Sequence, residues 1–101
     1  MQKNKNKKLP LVSIILNCYN SAKFLKKSIS SVIFQNYKNW ELIIFDNCSN
    51  DNTKSEILKF KKNKKIKYFR SKKLYSLYNA RNLAIEKTKG SLITFLDADD
   101  W

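Results

Sequence analysis

Leu92-Ile93-Thr94-Phe95-Leu96-Asp97-Ala98-Asp99-Asp100-Trp101 is the stretch whose reading decides the fold. Four of its first five residues are large and apolar, which reads as a short buried β-strand. Asp97 and Asp99 follow at alternate positions, held on a stiff base and thrust out at the strand's carboxyl end. Open α/β sheets bind ligands at that edge. Partly exposed carboxylates suit a hard divalent cation such as Mg²⁺ or Mn²⁺, and such a cation suits a diphosphate.

Working outward from this strand, the same pattern recurs three times toward the amino terminus. Residues 11–16 read as a first buried strand behind Pro10, ending in the polar, turn-prone Asn17-Cys18-Tyr19-Asn20. Ser21 is a suitable N-cap for a helix to about Gln35, with Leu25, Ile29, Val32 and Ile33 as its apolar stripe. A second strand over 40–45 runs directly into Asp46-Asn47-Cys48-Ser49-Asn50-Asp51. A helix starting near Asn52 or Thr53 then fades into a lysine run. Residues 66–69 form a weaker third strand. Ser76 is placed to cap a third helix over 77–87, with Leu77, Ala80 and Ala84 facing inward and Gly90 where its carboxyl end is expected. Tyr75 and Tyr78 read as packing residues. The order βαβαβαβ predicts an α/β fold, a mostly parallel sheet with helices on both faces. The segments after strands one, two and four then share one edge, and all three are polar.

Composition bounds the function. The chain has 101 residues, enough for one small domain, and 43% of them are hydrophobic, enough for a real core. No apolar run approaches the roughly 20 residues that cross a bilayer. The first eight residues are basic and polar without the apolar stretch of a secretory signal, so a cytoplasmic location is expected. Cys18 and Cys48 fit no zinc or CxxC spacing, there is no histidine, and two free thiols are expected. The net charge of +13 comes partly from a flexible basic tail over 1–8 and partly from the run between Lys59 and Lys73. With only Arg70 and Arg81 to set against nineteen or so lysines, base-edge reading is disfavoured and no nucleic-acid partner is expected. The run reads as a solvated basic face or as attraction to an anionic membrane surface. A non-catalytic basic module binding such a surface or nucleic acid is the alternative function. Gly90 is the only glycine, so neither a GxGxxG turn nor a GxxxxGK[ST] loop can be built, and a carboxylate-held metal is the remaining obvious way to offset the charge of a diphosphate. A phospho-acceptor receiver domain is disfavoured because the first strand ends in Asn17-Cys18-Tyr19-Asn20 rather than an acidic pair.

The motifs together resemble family 2 glycosyltransferases. Val12-Ser13-Ile14-Ile15-Leu16-Asn17-Cys18-Tyr19-Asn20 is similar to that family's opening strand. Ser28-Ile29-Ser30-Ser31-Val32 with Gln35, then Trp40-Glu41-Leu42-Ile43-Ile44, follow in the family's order. Asn79-Ala80-Arg81-Asn82-Leu83-Ala84-Ile85 resembles its Ala-Arg-Asn helix. Gly90 and Leu96-Asp97-Ala98-Asp99-Asp100-Trp101 resemble its DxD metal motif. Two departures stand out: Asn47 occupies a position that usually carries a second acid, and Leu74-Tyr75-Ser76 stand where many members have glycine, which narrows the loop over the nucleotide.

The resemblance implies a GT-A fold, of which residues 9–101 would be the Rossmann-like, donor-nucleotide-binding half, cut off just past the DxD motif. It implies an inverting sugar transfer from a nucleoside-diphosphate sugar, a UDP-sugar being favoured, to a hydroxyl on a glycan or lipid-linked acceptor. Asp99 would ligate Mn²⁺ or Mg²⁺ directly, with Asp97 near the ribose or the metal. Asn17, Tyr19, Asp46 and Asn47 would line the base and ribose pocket, and Arg81 would lie near the nucleotide. No general base is expected within the chain. Peripheral association with the inner face of a bacterial plasma membrane fits the same picture.

Overall fold

In a computed structural model, which describes residues 9–97, seven elements alternate as expected. They are β1 (Val12–Cys18), α1 (Ala22–Ile33), β2 (Trp40–Asp46), α2 (Thr53–Leu58), β3 (Ile66–Arg70), α3 (Leu77–Ile85) and β4 (Leu92–Asp97). The basic tail and the residues after Asp97, Asp99 among them, lie outside the described residues.

The strands form one four-stranded sheet in the order β3-β2-β1-β4, and every pairing is parallel. The first two crossovers step outward from β1 to β2 to β3, and the third returns past them to put β4 on the other side of β1. The direction of winding therefore reverses between β1 and β4.

Side-chain alternation along the strands separates two cores. Ile14, Leu16, Leu42 and Ile44 pack with Leu25, Ile29 and Val32 of α1 and Ile57 of α2. Ile15, Ile43 and Phe45 pack on the other face with Ala80 and Ala84 of α3. Small residues at 80 and 84 let α3 lie close to the sheet. Both faces of β1 and β2 are thus covered, as a parallel sheet requires, but β4, expected as a buried strand, is an edge strand whose Leu92, Ile93 and Phe95 are half-exposed.

Four local expectations are corrected. β1 runs two residues further than its apolar stretch, through Asn17 and Cys18, because ladder pairing with Phe45 and Asp46 continues there. Ser21 stands at the N-cap of α1 but its side chain makes no cap bond; the Asp51 carboxylate, from the loop after β2, accepts the Ala22 N–H instead at 3.4 Å. Leu77 is 36% exposed, leaving Ala80 and Ala84 as the buried face of α3. Gly90 is not the end of a helix. α3 stops at Ile85, and Gly90 lies against β1, where a Cβ would come within 2.5 Å of both the Leu11 carbonyl oxygen and Ser13 Oγ. Glycine is needed there for close approach, at a negative φ.

Candidate nucleotide site at the carboxyl edge

The loops after β1 and β2 meet at the carboxyl edge and are tied to each other. Asn20 takes a left-handed conformation (φ 49°), a region that asparagine tolerates better than most residues. Its Oδ1 accepts from the N–H groups of Asn50 (2.8 Å) and Asp51 (3.3 Å), and its own N–H donates to Ser49 Oγ (2.8 Å). Ser21 N–H donates to Thr53 Oγ1 at 3.2 Å, and the Asp51 carboxylate accepts from the Thr53 N–H and hydroxyl. Burial works against the charge on Asp51, but these hydrogen bonds outweigh it and hold its carboxyl below the usual range.

Asp46 and Asn47, at the end of β2, are fully buried. The Asp46 carboxylate accepts from the Tyr68 hydroxyl (2.7 Å) and the Ser49 N–H (3.0 Å), with Arg70 Nε at 3.7 Å. Arg70 also donates to the Ser49 carbonyl at 2.7 Å. Burial, and then the bond to Asp46, pushes the Tyr68 hydroxyl well above its ordinary value. The Asn47 amide is engaged at both ends: Nδ2 donates to the Tyr75 carbonyl (2.8 Å) and Oδ1 accepts from the Tyr75 N–H (2.9 Å). These two residues shape the edge from behind.

Asn17 differs. It is 6% exposed on the α3 side of β1, and its Oδ1 has no hydrogen-bond partner among the described residues. A buried acceptor left open costs roughly 1–3 kcal/mol. In the ladder Asn17 stands directly opposite Asp97, the last residue of β4. Tyr19 is half-buried in the turn just beyond. Arg81, exposed on α3, holds its guanidinium 5.3 Å from the Phe95 ring, two residues before Asp97 on the same strand. Asn17 and Asp97 thus stand opposite each other on β1 and β4 with Arg81 of α3 over Phe95, whereas the Asp46 and Asn47 side chains are engaged in internal hydrogen bonds. Asp99, the expected direct metal ligand, lies outside the described residues. The described residues alone contain no group of three acids, cysteines or histidines spaced for a metal ion.

Reading the sequence missed Tyr68, Arg70 and Ser71. Tyr68 and Arg70 alternate on β3 and so reach one face of the sheet, the signal that could have paired them with Asp46. Ser71 donates to the Lys73 carbonyl (2.8 Å), and its N–H to that of Asp46 (3.0 Å). Tyr78, expected as a packing residue, is 74% exposed. Cys18 and Cys48 are free thiols, as expected; burial, aided by the Asp46 and Asp51 carboxylates, pushes the Cys18 thiol well up and leaves it inert.

Comparison with known proteins gives this arrangement a lineage. The family model for glycosyl transferase family 2 matches residues 13–101. A UDP-Glc:alpha-D-GlcNAc-diphosphoundecaprenol beta-1,3-glucosyltransferase of Escherichia coli, WfgD, is 42% identical over 90 residues, covering 89% of this chain and 35% of the relative. Among solved structures, S. aureus TarS in complex with UDP-GlcNAc superposes with a TM-score of 0.78 at 27% identity, over 89% of this chain and 27% of that one. The mannosyltransferase PcManGT of Pyrobaculum calidifontis, in complex with GDP-Man and Mn²⁺, has a TM-score of 0.84 at 21% identity, over 92% and 28%. The chain thus spans about a third of the length of its curated E. coli relative. With a GT-A-type parallel sheet, the ordered motifs and a family match over nearly all of its length, the chain belongs to glycosyl transferase family 2.

Proposed function

We propose that this chain is the donor-binding part of an inverting glycosyltransferase that moves a sugar from a UDP-sugar to a hydroxyl of a lipid-linked glycan. The observation that carries the reading is the reversal of winding between β1 and β4, where Asn17 and Asp97 stand side by side. Ligands of open α/β sheets bind at such a switch point, outside the carboxyl ends of the strands. The UDP-sugar, the undecaprenyl-linked acceptor and the inversion follow the E. coli relative's name, since UDP-glucose is an α-glucoside and that relative's product is β-linked.

In this reading Asn17 and Tyr19 meet the nucleoside, Asp97 meets the ribose or a divalent metal, and Arg81 lies toward the diphosphate. Asp46 and Asn47 hold the walls. Asp97 and Asp99 would hold Mn²⁺ or Mg²⁺; carboxylate and amide oxygens are the hard donors such ions take, and the one buried thiol nearby is kept protonated. When bound, the metal offsets the charge on the departing diphosphate. The proton of the acceptor hydroxyl needs a base. Glu41, Asp46 and Asp51 are all taken up by internal hydrogen bonds, and the resemblance to the family puts that base in a part of the protein outside this chain. Residues 9–101 would then be one half of a larger catalytic domain. The half-exposed apolar side chains of β4, Leu92, Ile93 and Phe95, support that reading, as edge residues normally covered by further structure. The exposed lysines at 61, 62, 64 and 65 give the domain a basic face for an anionic membrane carrying the acceptor. The test is turnover by the full-length protein with UDP-sugars and an undecaprenyl-diphosphate-linked sugar. Sugar transfer that needs added Mn²⁺ or Mg²⁺ is expected. Hydrolysis or transfer unaffected by chelation would contradict the metal-assisted reading.

A further inference from the structure

The two asparagines at the carboxyl edge have opposite hydrogen-bonding states. Among the described residues Asn17 keeps an unpaired Oδ1, whereas Asn47 uses both ends of its amide on one backbone unit, that of Tyr75. An amide bonded to the N–H and the C=O of the same residue imitates a strand neighbour and fixes that residue in position and rotation. Asn47 is fully buried, so little water competes for the bond pair.

Tyr75 is well placed to transmit this constraint. Its ring packs against the core formed by Ile15, Ile43, Phe45, Ala80 and Ala84, and Lys73 sits 5.3 Å over it. The next residue, Ser76, is the N-cap of α3, its Oγ accepting from the Asn79 N–H at 3.2 Å. Arg81 lies one turn further on, over Phe95. Segment 71–76 is also tied at its start, where the Ser71 N–H donates to the Asp46 carbonyl. Both ends of the segment are therefore held by consecutive residues of β2 and its loop.

We infer that Asn47 is a positioning residue: it clamps the Tyr75 backbone, and through it the start of α3 and Arg81, instead of reading the nucleobase itself. The inference rests on the donor-site reading above and assigns this residue's part in it. The chemistry also accounts for the amide. A carboxylate could accept the Tyr75 N–H but could not donate to the Tyr75 carbonyl, and it would set a charge 2.8 Å from that oxygen.

The experiment uses the full-length protein with UDP, GDP and dTDP as probes, each with Mn²⁺, on wild type, Asn47→Asp and Asn47→Ala, well below their melting temperatures. Hydrogen exchange at the Tyr75 amide is measured alongside. Asn47→Asp, which keeps the volume, guards against misfolding of the alanine variant. A clamp predicts that all three affinities fall by one common factor, about tenfold for a lost hydrogen bond of ordinary strength. The ranking of the bases stays as in wild type, and Tyr75 exchange quickens in Asn47→Ala. A purely structural residue would lower the melting temperature and leave the affinities of the folded protein alone, which would overturn the inference. A changed ranking with Tyr75 still protected would overturn it in favour of direct base reading. Failure of wild type to bind any of the three would overturn the donor-site reading itself, while faster Tyr75 exchange would still uphold the clamp.

Discussion

The carboxyl end of the sheet carries more buried polar groups than the amino end, and the two ends treat them differently. At the amino end Glu41 is 3% exposed, and its carboxylate accepts from Ser13 Oγ (2.6 Å), the Lys89 N–H (2.6 Å) and Lys67 Nζ (2.9 Å). Ser13 Oγ in turn accepts from the Gly90 N–H at 2.8 Å. This network joins β1, β2, β3 and the connection into β4, and it is closed. At the carboxyl end Asp46, Asn47 and Asp51 are equally well partnered, by β3 and by loops, and among the described residues Asn17 Oδ1 is left open beside the last residue of β4. The Glu41 network is closed on itself, whereas among the described residues Asn17 Oδ1 has no partner, as is true also of Trp40 Nε1 at the amino end; the proposed function puts a ligand at the first of these.

Breaking the closed end should have the largest effect on stability. Glu41→Ala leaves the buried Ser13 hydroxyl and the Lys89 N–H without their charged acceptor and frees the part-exposed Lys67 ammonium, and should cost about 3 kcal/mol, the upper range for buried groups left unsatisfied. Urea unfolding measures it, and nucleotide affinity of the folded fraction should hold. Gly90→Ala attacks the same end by sterics. The added methyl meets the Leu11 carbonyl and Ser13 Oγ, so a loss of about 2 kcal/mol is expected from overpacking against backbone. A stability within error of wild type would show that the connection into β4 yields easily.

The smallest effects come from titration, and the acid and alkaline arms report different groups. Burial opposes the charge on Glu41, but its hydrogen bonds from Ser13, Lys89 and Lys67 outweigh that and hold its folded pKa below the usual 4.5. As pH falls below that value the unfolded chain takes up the proton first, so stability present at neutral pH is lost on the acid side. At the carboxyl end Cys18 and Tyr68 are raised above their usual 9.0 and 10.0, mainly by burial. There the unfolded chain releases protons first, so stability is lost as pH rises past those values. Unfolding curves across pH should show Glu41→Gln flattening only the acid arm and Tyr68→Phe only the alkaline arm.

How much of this was legible in the sequence follows the same division. Apolar strands and the α1 stripe of Leu25, Ile29 and Val32 declare themselves by periodicity, so element order and the parallel sheet could be read directly. The shared carboxyl edge followed from that order. What could not be read was partnership across long sequence distance. Nothing local says that Asp46 will take Tyr68, that Asp51 will serve α1 in place of Ser21, or that Asn47 will find Tyr75. Gly90 was visible as special, but its reason, close approach to β1, is a tertiary fact.

The central claim is that the reversal of winding at β1 and β4 holds a nucleoside diphosphate through a metal at Asp97 and Asp99. Calorimetry of UDP binding to the full-length protein, with and without Mn²⁺, on wild type and Asp99→Asn tests it most directly. Binding that needs Mn²⁺ in wild type and weakens at least about tenfold in Asp99→Asn, with the melting temperature unchanged, is the predicted result. Equal Mn²⁺-dependent affinity in the two proteins would contradict it.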